Sequence, residues 1–555
     1  MIKIPPTEFS RRRERLMAMM EPGSIAVLPG SRLKTRNRDV EYPFRQDSDF
    51  YYLTGFTEPD ALLVLQPGRH QGEVVLFCTE RDPDYERWNG ARMGPERAQD
   101  LLGVDDAFPI ADLADILPGM LEGKDRIYTT LGERPNFDRQ MLSWIKGIRD
   151  REAGGAIPPG EIVALKHHLH ELRLFKSAAE LKVMRESARI TTLAHRRAMR
   201  SCRPGMTEGQ LEAELQYEFM RNNARAPAYS SIVGGGNNGC VMHYVRNDST
   251  LKPGKLVLID AGSEYQYYAA DVTRTFPVSG RFNKTQQAVY EIVLAANHAG
   301  IEACRAGSNF NAPHEAALAI MVQGLIDLKL LQGSVADIVA EERYRPFCPH
   351  KASHWLGLDV HDVGDYRLDD TWRALEPGMV MTVEPGIYIP DNDSMSAVAA
   401  RYRGMGIRVE DDVHITASGP ENLSEEAPKS VADIQREMRR SPNAAYPQAR
   451  QSAATGAKTN KRTARNANAK PKSKAKAKAK ANANAKAKTK RKVTTRAAAQ
   501  RKASGKVATK AKTKAKAKGK AKSKTKVSAR AKGRGRSKAA RATPKRAAAA
   551  KAKRR

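Results

Sequence analysis

Short apolar runs and helical periodicities alternate along the first 170 residues. The runs IAVLPG, ALLVLQPG and EVVLFC are ended by Gly, Pro or charged residues, which is typical of short buried strands. Segments with helical spacing of apolar residues separate them. This alternation predicts an α/β domain over residues 1–172.

A second domain is predicted to begin near residue 173. Ser177 with Glu180, and Thr207 with Gln210, have the spacing of capping boxes, and each pair precedes apolar residues at helical spacing. Strand, helix and strand patterns then continue to residue 416. The pattern predicts an α+β domain over residues 173–435 that opens with helices.

Two aspartates lie in the stretch KLVLIDAGSEYQYYAADVTRTFPV, residues 255–278. An apolar run ends in Asp260, a polar turn follows, and a second strand-like run brings in Asp271. If the runs pair as a hairpin, the two carboxylates lie so close that both stay ionised only beside a cation. The plainer alternative is that each aspartate ends a strand or caps a turn.

Three further residues are candidate metal ligands: His354 in HKASHWLGLDVH, Glu384 in MVMTVEPG and Glu410 in GIRVEDDVHIT. Four carboxylates and one imidazole suit manganese, cobalt, iron or zinc, and bridging carboxylates let two such ions sit about 3.5 to 4 Å apart. Such a pair activates water and polarises a carbonyl, so the predicted chemistry is hydrolysis.

Two residues are candidates for supporting these ligands. Arg408 lies two residues before Glu410, so the two share a face of a predicted strand, and the guanidinium can orient a metal-binding carboxylate. The alternative for Arg408 is a solvated surface ion pair. Tyr388, in EPGIYI, is a further candidate for the same supporting role.

Five motifs in this order, IDAG, DVTRTF, SHWLGLDVHD, TVEPGIYI and GIRVEDD, resemble those of the metal-dependent, proline-specific aminopeptidases of the aminopeptidase P family. The resemblance covers residues 1 to about 430 and implies a "pita-bread" catalytic domain with two divalent ions, manganese first and cobalt or zinc as alternatives. It implies that Asp260 and Asp271 hold one ion, that His354 and Glu384 hold the other, and that Asp271 and Glu410 bridge them.

The resemblance also implies roles for three other histidines. His243 would contact the substrate and stabilise the reacting carbonyl, His361 would hydrogen-bond the substrate, and His350 would line the proline pocket. The spacing of His350 and His354 also fits two zinc ligands on one helical face, although the glutamate of an HExxH motif is missing. Lys351 stands where the family commonly has glycine, which alters the shape or charge of the pocket mouth.

The formal net charge of +33 is concentrated at one end of the 555-residue chain. Residues 451–555 contain 40 Lys and Arg and no Asp or Glu, whereas residues 1–450 contain 55 basic and 62 acidic residues. Few large apolar residues and one sign of charge predict a disordered basic tail over residues 436–555. Such a polycation would bind DNA or RNA without sequence preference, unless it is a dispensable extension.

Five scattered cysteines without CxxC pairing indicate reduced thiols, and neither a signal peptide nor a membrane-spanning run is recognisable. We therefore expect a cytoplasmic protein with no membrane contact. The resemblance implies a homo-oligomer, a dimer or tetramer, with subunit contacts through the N-terminal domain. Trp88 and Tyr51 in that domain are interpreted as core or interface residues.

The predicted function is release of the N-terminal residue from peptides with proline in second position. Glu384 would pass a proton to the leaving nitrogen, with His243 and His361 as further catalytic residues. A prolidase, which takes only Xaa-Pro dipeptides, is the nearest alternative. A non-catalytic pita-bread module with a nucleic-acid-binding tail is the alternative from another class, but such a module would be expected to lose ligands, and all five are present.

Overall fold

The structure, a computed structural model, describes residues 2–444. The predicted disordered tail therefore lies outside the described residues from position 445 onward. Within residues 2–444, no helix combines the length and the apolar character that crossing a bilayer requires.

The N-terminal domain contains a six-stranded sheet with helices on both faces. Its helices are α1 (Pro6–Met19), α2 (Ser48–Thr54), α3 (Pro83–Asn89), α4 (Gly94–Leu102), α5 (Leu113–Leu121), α6 (Pro135–Arg149) and α7 (Leu165–Leu174). Its strands are β1 (Ser24–Pro29), β2 (Thr35–Asn37), β3 (Val40–Glu41), β4 (Leu62–Leu65), β5 (Val74–Cys78), β6 (Asp106–Pro109), β7 (Arg126–Thr129) and β8 (Glu161–Ala164).

The three apolar runs form β1, β4 and β5, and every residue of these strands is buried. The sheet has the order β6-β5-β4-β1-β7-β8, in which β4 is antiparallel to both of its neighbours and the other pairs are parallel. One face packs against apolar residues of α5 and α6, including Leu117, Met141 and Ile145. The predicted α/β domain is confirmed. Its strands were recognisable in the sequence because strands buried on both faces consist of continuous apolar runs.

The second domain begins with two long helices. Its helices are α8 (Ala178–Ser201), α9 (Glu208–Arg221), α10 (Lys284–Ala303), α11 (Ala312–Asp327), α12 (Val335–Ala340) and α13 (Val431–Met438). Its strands are β9 (Ala226–Pro227), β10 (Ile232–Gly235), β11 (Leu256–Asp260), β12 (Ser263–Tyr265), β13 (Tyr268–Ala269), β14 (Thr273–Pro277), β15 (Arg367–Leu368), β16 (Thr371–Trp372), β17 (Val380–Val383), β18 (Gly386–Ile389), β19 (Met405–Arg408), β20 (Asp411–Thr416) and β21 (Gly419–Asn422).

Both predicted capping boxes are present. The Ser177 side chain accepts a hydrogen bond from the Glu180 amide while the Glu180 carboxylate accepts one from the Ser177 amide, and Thr207 and Gln210 repeat the arrangement. These caps satisfy amides that the first helical turn leaves without partners, so α8 and α9 begin where the sequence predicted.

The end of the second domain differs from the predicted boundary at residue 435. Helix α13 continues to Met438 because Ser430 caps its first turn and Val431, Ile434 and Met438 are buried on one face. Beyond the helix, Arg200 donates a hydrogen bond to the carbonyl of Ala444. The folded chain therefore extends past residue 435, and the predicted tail begins too early.

Candidate active site

The two candidate aspartates meet at the end of the β11–β14 pair. The antiparallel register places Asp260, the last residue of β11, opposite Thr273, and Asp271 lies two residues before Thr273. The intervening turn is a small hairpin, β12–β13. A Cβ on Gly262 would lie 1.6 Å from the carbonyl oxygen of Ala270, so only glycine allows this close approach. The hairpin prediction is confirmed in its main feature.

Tyr229 bridges the two aspartates. Its hydroxyl lies 2.5 Å from Oδ1 of Asp260 and also contacts Oδ1 of Asp271. A phenol carries one proton, so it donates to one carboxylate at a time and leaves the second facing a lone pair. Burial, and then the two carboxylates, raise the pKa of Tyr229 well above its usual value. The hydroxyl therefore stays protonated and holds the pair together.

His354 and Glu384 line the same cavity as the two aspartates. The chain around His354 runs beside β17, with the Glu384 amide donating to the carbonyl of Ala352. Nε2 of His354 lies 3.4 Å from Oδ2 of Asp271 and 3.7 Å from Oε1 of Glu384. Nδ1 of His354 donates to the carbonyl of Trp355 at 2.9 Å, which leaves Nε2 available as a metal ligand.

Glu410 completes the cluster from the short link between β19 and β20. Ligand atoms of Asp271, His354 and Glu410 lie within 4.8 Å of one another. All five candidate ligands line one cavity of about 200 Å³, together with Arg408 and three histidines, His243, His350 and His361. The structure thus brings together in one cavity all five side chains that the sequence singled out as candidate metal ligands.

The charges of this cluster fit divalent cations. Burial, and then repulsion from Asp271, Glu384 and Asp260, raise the pKa of Glu410 well above its usual range. The pKa of Glu384 rises to about 7, chiefly because of burial. Burial would lower the pKa of His354, but Asp271 and Glu384 outweigh it and raise that pKa to about 9. Four buried carboxylates carry more negative charge than the neighbouring side chains compensate, and cations bound among them would supply the missing positive charge.

Arg408 is buried, which excludes the alternative of a surface ion pair. Its Nη2 contacts Oδ2 of Asp260, and Nη1 donates to the hydroxyl of Tyr388 at 2.7 Å. Arg408 reaches Glu410 only through Thr273, whose hydroxyl accepts from Nε at 3.0 Å and donates to Oε2 of Glu410 at 2.6 Å. The carboxylate that Arg408 orients directly is therefore that of Asp260.

The three other candidate histidines occupy different parts of the cavity. The ring of His361 lies 4.3 Å from that of His354, centroid to centroid. His350 bonds through Nε2 to the hydroxyl of Tyr388 at 2.8 Å, and His243 is exposed at the rim. Residues 350–354 form no helix, so the alternative of two zinc ligands on one helical face is wrong.

Sequence reasoning missed the residues that join the motifs. Thr273 and Tyr229 bind the ligand carboxylates, and Asp412 accepts a hydrogen bond from the Asp271 amide at 3.1 Å. Arg274, next to Thr273, pairs with Asp411 at 2.7 Å, and both side chains are fully buried. The segments DVTRTF and GIRVEDD are therefore held together by side-chain contacts along their length. Strand periodicity could have placed Thr273 on the face of Asp271, whereas nothing in the sequence distinguishes Tyr229.

A buried charge cluster anchors the loop that carries His361 to the N-terminal domain. Arg173, at the end of α7, contacts Asp49 at 2.6 Å, Asp362 at 2.6 Å and Asp359 at 2.8 Å. Lys176 contacts the second oxygen of Asp362 at 2.9 Å. Since Asp362 directly follows His361, these contacts determine where that histidine lies.

Tyr51 and Trp88 have different surroundings. Tyr51 is buried and stacks on Tyr267 of the second domain with a centroid distance of 3.9 Å, which confirms a core position. Trp88 is 85% exposed, so it is no core residue of the described chain. Its place in a subunit interface stays a prediction.

Comparison with known proteins agrees with this geometry. The chain matches the models of metallopeptidase family M24 over residues 182–417 and of the aminopeptidase P N-terminal domain over residues 9–128. It is 44% identical to the Xaa-Pro aminopeptidase of Escherichia coli K12 over 437 residues, which is 78% of this chain and 98% of that protein. It is 33% identical to human Xaa-Pro aminopeptidase 3 over 441 residues, 77% of this chain and 85% of that protein.

Solved structures give the same result. Aminopeptidase PepP of Pseudomonas aeruginosa superposes with a TM-score of 0.78 at 54% identity, over 79% of this chain and 99% of that one. Zinc-substituted E. coli aminopeptidase P in complex with product superposes with a TM-score of 0.76 at 44% identity, over 79% of this chain and 98% of that one.

Fold, ligand cluster and relatives together define a metallo-aminopeptidase. The chain belongs to metallopeptidase family M24, with the N-terminal domain of the aminopeptidase P group and the pita-bread catalytic domain.

Proposed function

We propose that this enzyme uses two divalent metal ions to release the N-terminal residue from peptides whose second residue is proline. The convergence of five metal-ligand side chains on one cavity carries the proposal. The substrate is inferred from relatives that are named Xaa-Pro aminopeptidases. A non-catalytic module is less consistent with this cluster, because unused buried carboxylates would only destabilise the fold.

Asp260 and Asp271 would hold one ion, His354 and Glu384 the other, with Asp271 and Glu410 shared between them. The ions would activate water and polarise the carbonyl that precedes proline. Manganese is the first candidate, since oxygen ligands predominate, and cobalt and zinc are the alternatives. One relative is described as zinc-substituted, which supports keeping zinc among them.

The protein's own residues would hold the ligand carboxylates in place and transfer protons. Arg408 holds the carboxylate of Asp260 in place, and Tyr388 supports Arg408 and His350. Glu384 is the candidate to carry a proton to the leaving nitrogen, because its carboxylate lies in the cavity next to His354, beside the place where the activated water would sit. His243 and His361 would contact the substrate carbonyl. The bond to proline lacks an N–H, so the pocket beside His350 would recognise the shape of the ring.

Three peptides test the substrate assignment. Metal-loaded enzyme should release alanine from Ala-Pro-Ala, leave Ala-Ala-Ala nearly untouched, and cleave the dipeptide Ala-Pro much more slowly than Ala-Pro-Ala. Preferential cleavage of Ala-Pro would instead identify a prolidase. Equal cleavage of Ala-Pro-Ala and Ala-Ala-Ala would refute proline specificity.

We propose a second property for the basic tail: binding of DNA or RNA through phosphate charge. It rests on the 40 Lys and Arg and the absence of acidic residues in positions 451–555. Deleting 451–555 should abolish salt-sensitive retention on DNA without changing the peptidase rate. Unchanged retention would reject this role.

The oligomeric state and the cellular location of the protein also stay predictions. A dimer or tetramer is expected, and sedimentation of the full chain would measure it. A cytoplasmic location is supported by the five cysteines, which are all free.

A further inference from the structure

Lys351 brings a positive charge to the rim of the active-site cavity. It lines the cavity with the five ligand residues and directly follows His350, whose Nδ1 donates to the Lys351 carbonyl at 2.8 Å. The Lys351 side chain is exposed, and its Nζ lies 5.8 Å from the ring centroid of Trp372. The chain thus presents an ammonium group where a substrate would enter or leave.

The ammonium has a weak partner. Nζ donates to Oδ1 of Asn311 at 3.3 Å, and Asn311 is fixed by its own donation to Glu315 at 2.6 Å. Among residues 2–444, Lys351 forms no ion pair. Two carboxylates lie near enough to act on this charge: Glu315, which accepts from Asn311, and Glu342, which is held by Arg345 at 2.6 Å. At least two of the three N–H groups of Lys351 therefore remain open to a further acceptor.

Other cations make the rim more positive. Arg367 packs on the ring of Trp372, 4.1 Å from its centroid, and Arg345 is a further electrostatic neighbour of Lys351. The cavity is thus polarised, with carboxylates in its floor and cations at one side of its rim. The free amine of a peptide substrate is repelled at this side, whereas a carboxylate is attracted to it.

We propose that Lys351 is a specificity residue that binds a substrate carboxylate beyond the proline, on the far side of the bond to be cleaved. This inference rests on the proposed function. The carboxylate has two sources: the C-terminus of a short peptide, or an Asp or Glu side chain that follows proline. The enzyme should therefore prefer short or acidic peptides.

Binding of a product dipeptide tests the proposal without turnover. Calorimetry compares Pro-Leu with Pro-Leu amide, which differ only in the carboxylate, for wild type, Lys351→Gln and Lys351→Arg. Lys182→Gln, an exposed lysine on α8, is the control for loss of one charge. Wild type should bind the free acid about three- to tenfold more tightly, as expected of a partly exposed ion pair.

Lys351→Gln should bring the acid-to-amide ratio close to one, while Lys351→Arg and Lys182→Gln keep the wild-type ratio. A second comparison, kcat/KM for Ala-Pro-Glu amide against Ala-Pro-Gln amide, identifies a side-chain carboxylate as the source. If Lys351→Gln changes neither ratio, or Lys182→Gln changes them equally, the proposal is overturned. If wild type hydrolyses neither Ala-Pro peptide but still binds Pro-Leu more tightly than Pro-Leu amide, the proposed function is refuted and the role of Lys351 stands.

Discussion

Replacing Arg173 by methionine should destabilise the protein more than any surface arginine replacement. Arg173 is 3% exposed, and the side chains of Asp49 and Asp362 are 8% and 1% exposed. Breaking a buried pair by removing one partner costs about 3–5 kcal/mol, because the remaining charge is left without compensation. Asp362 keeps Lys176, but Asp49 keeps only His170 at 3.3 Å. We therefore expect a loss of about 3–5 kcal/mol at pH 7.

This loss should depend on pH. Burial alone would raise the pKa of Asp49, but Arg173 and His170 outweigh it and hold that pKa well below its usual range. An acid with a lowered folded-state pKa stabilises the fold above its unfolded-state pKa, near 3.9, and the stabilisation disappears as pH falls through the lowered value. In Arg173→Met the buried aspartates regain protons more readily. The difference from wild type should therefore shrink as pH falls from 7 toward the unfolded-state pKa near 3.9, a range over which wild type keeps this stabilisation.

Thermal unfolding followed by circular dichroism measures both effects. Arg189→Met is the matched control, because Arg189 pairs with Glu186 at 2.8 Å on the surface of α8, where the two side chains are 44% and 21% exposed. Such a pair contributes about 1 kcal/mol or less. Equal shifts in melting temperature for the two variants, or a difference independent of pH, would refute the anchoring role of Arg173.

Two further predictions concern the ligand cluster. Tyr229→Phe removes the hydroxyl between Asp260 and Asp271. It should weaken metal affinity about 10- to 100-fold, as loss of a residue that orients ligands does. Competition with a fluorescent chelator measures the affinity, and an unchanged value would contradict the bridging role of Tyr229. Manganese binding to metal-free protein should tighten as pH rises from 6 to 9, because Glu384 (pKa about 7) and His354 (pKa about 9) must lose protons to act as ligands. Calorimetry in buffers of different ionisation enthalpy counts the released protons, and binding without proton release would contradict these pKa shifts.

The sequence predicted the site better than its surroundings. Asp260 ends an apolar strand and Glu384 directly follows one, and such positions can be recognised because strand periodicity is local. The capping boxes at Ser177 and Thr207 were equally easy to recognise in the sequence, since each depends on two residues three positions apart. The convergence of all five ligands was expected only through resemblance to a family, because no local rule relates residue 260 to residue 410.

The missed residues depend on distant contacts. Tyr229 lies 31 and 42 residues from the aspartates that it joins, and Arg173 is 189 residues from Asp362. Nothing in the local pattern separates such residues from an ordinary tyrosine or a surface arginine. Helix α13 was overlooked for a different reason: its eight residues give too short a periodic pattern beside a polar tail.

Titration of metal-stripped protein with manganese, while alanine release from Ala-Pro-Ala is monitored, measures whether hydrolysis depends on ions bound in this cavity. We predict no release from the stripped protein, full release once about two ions per chain are bound, and loss of the second binding step in Glu410→Gln. Undiminished hydrolysis by stripped, folded protein, or failure of manganese, cobalt and zinc alike to restore it, would contradict the claim that these five side chains hold the catalytic ions.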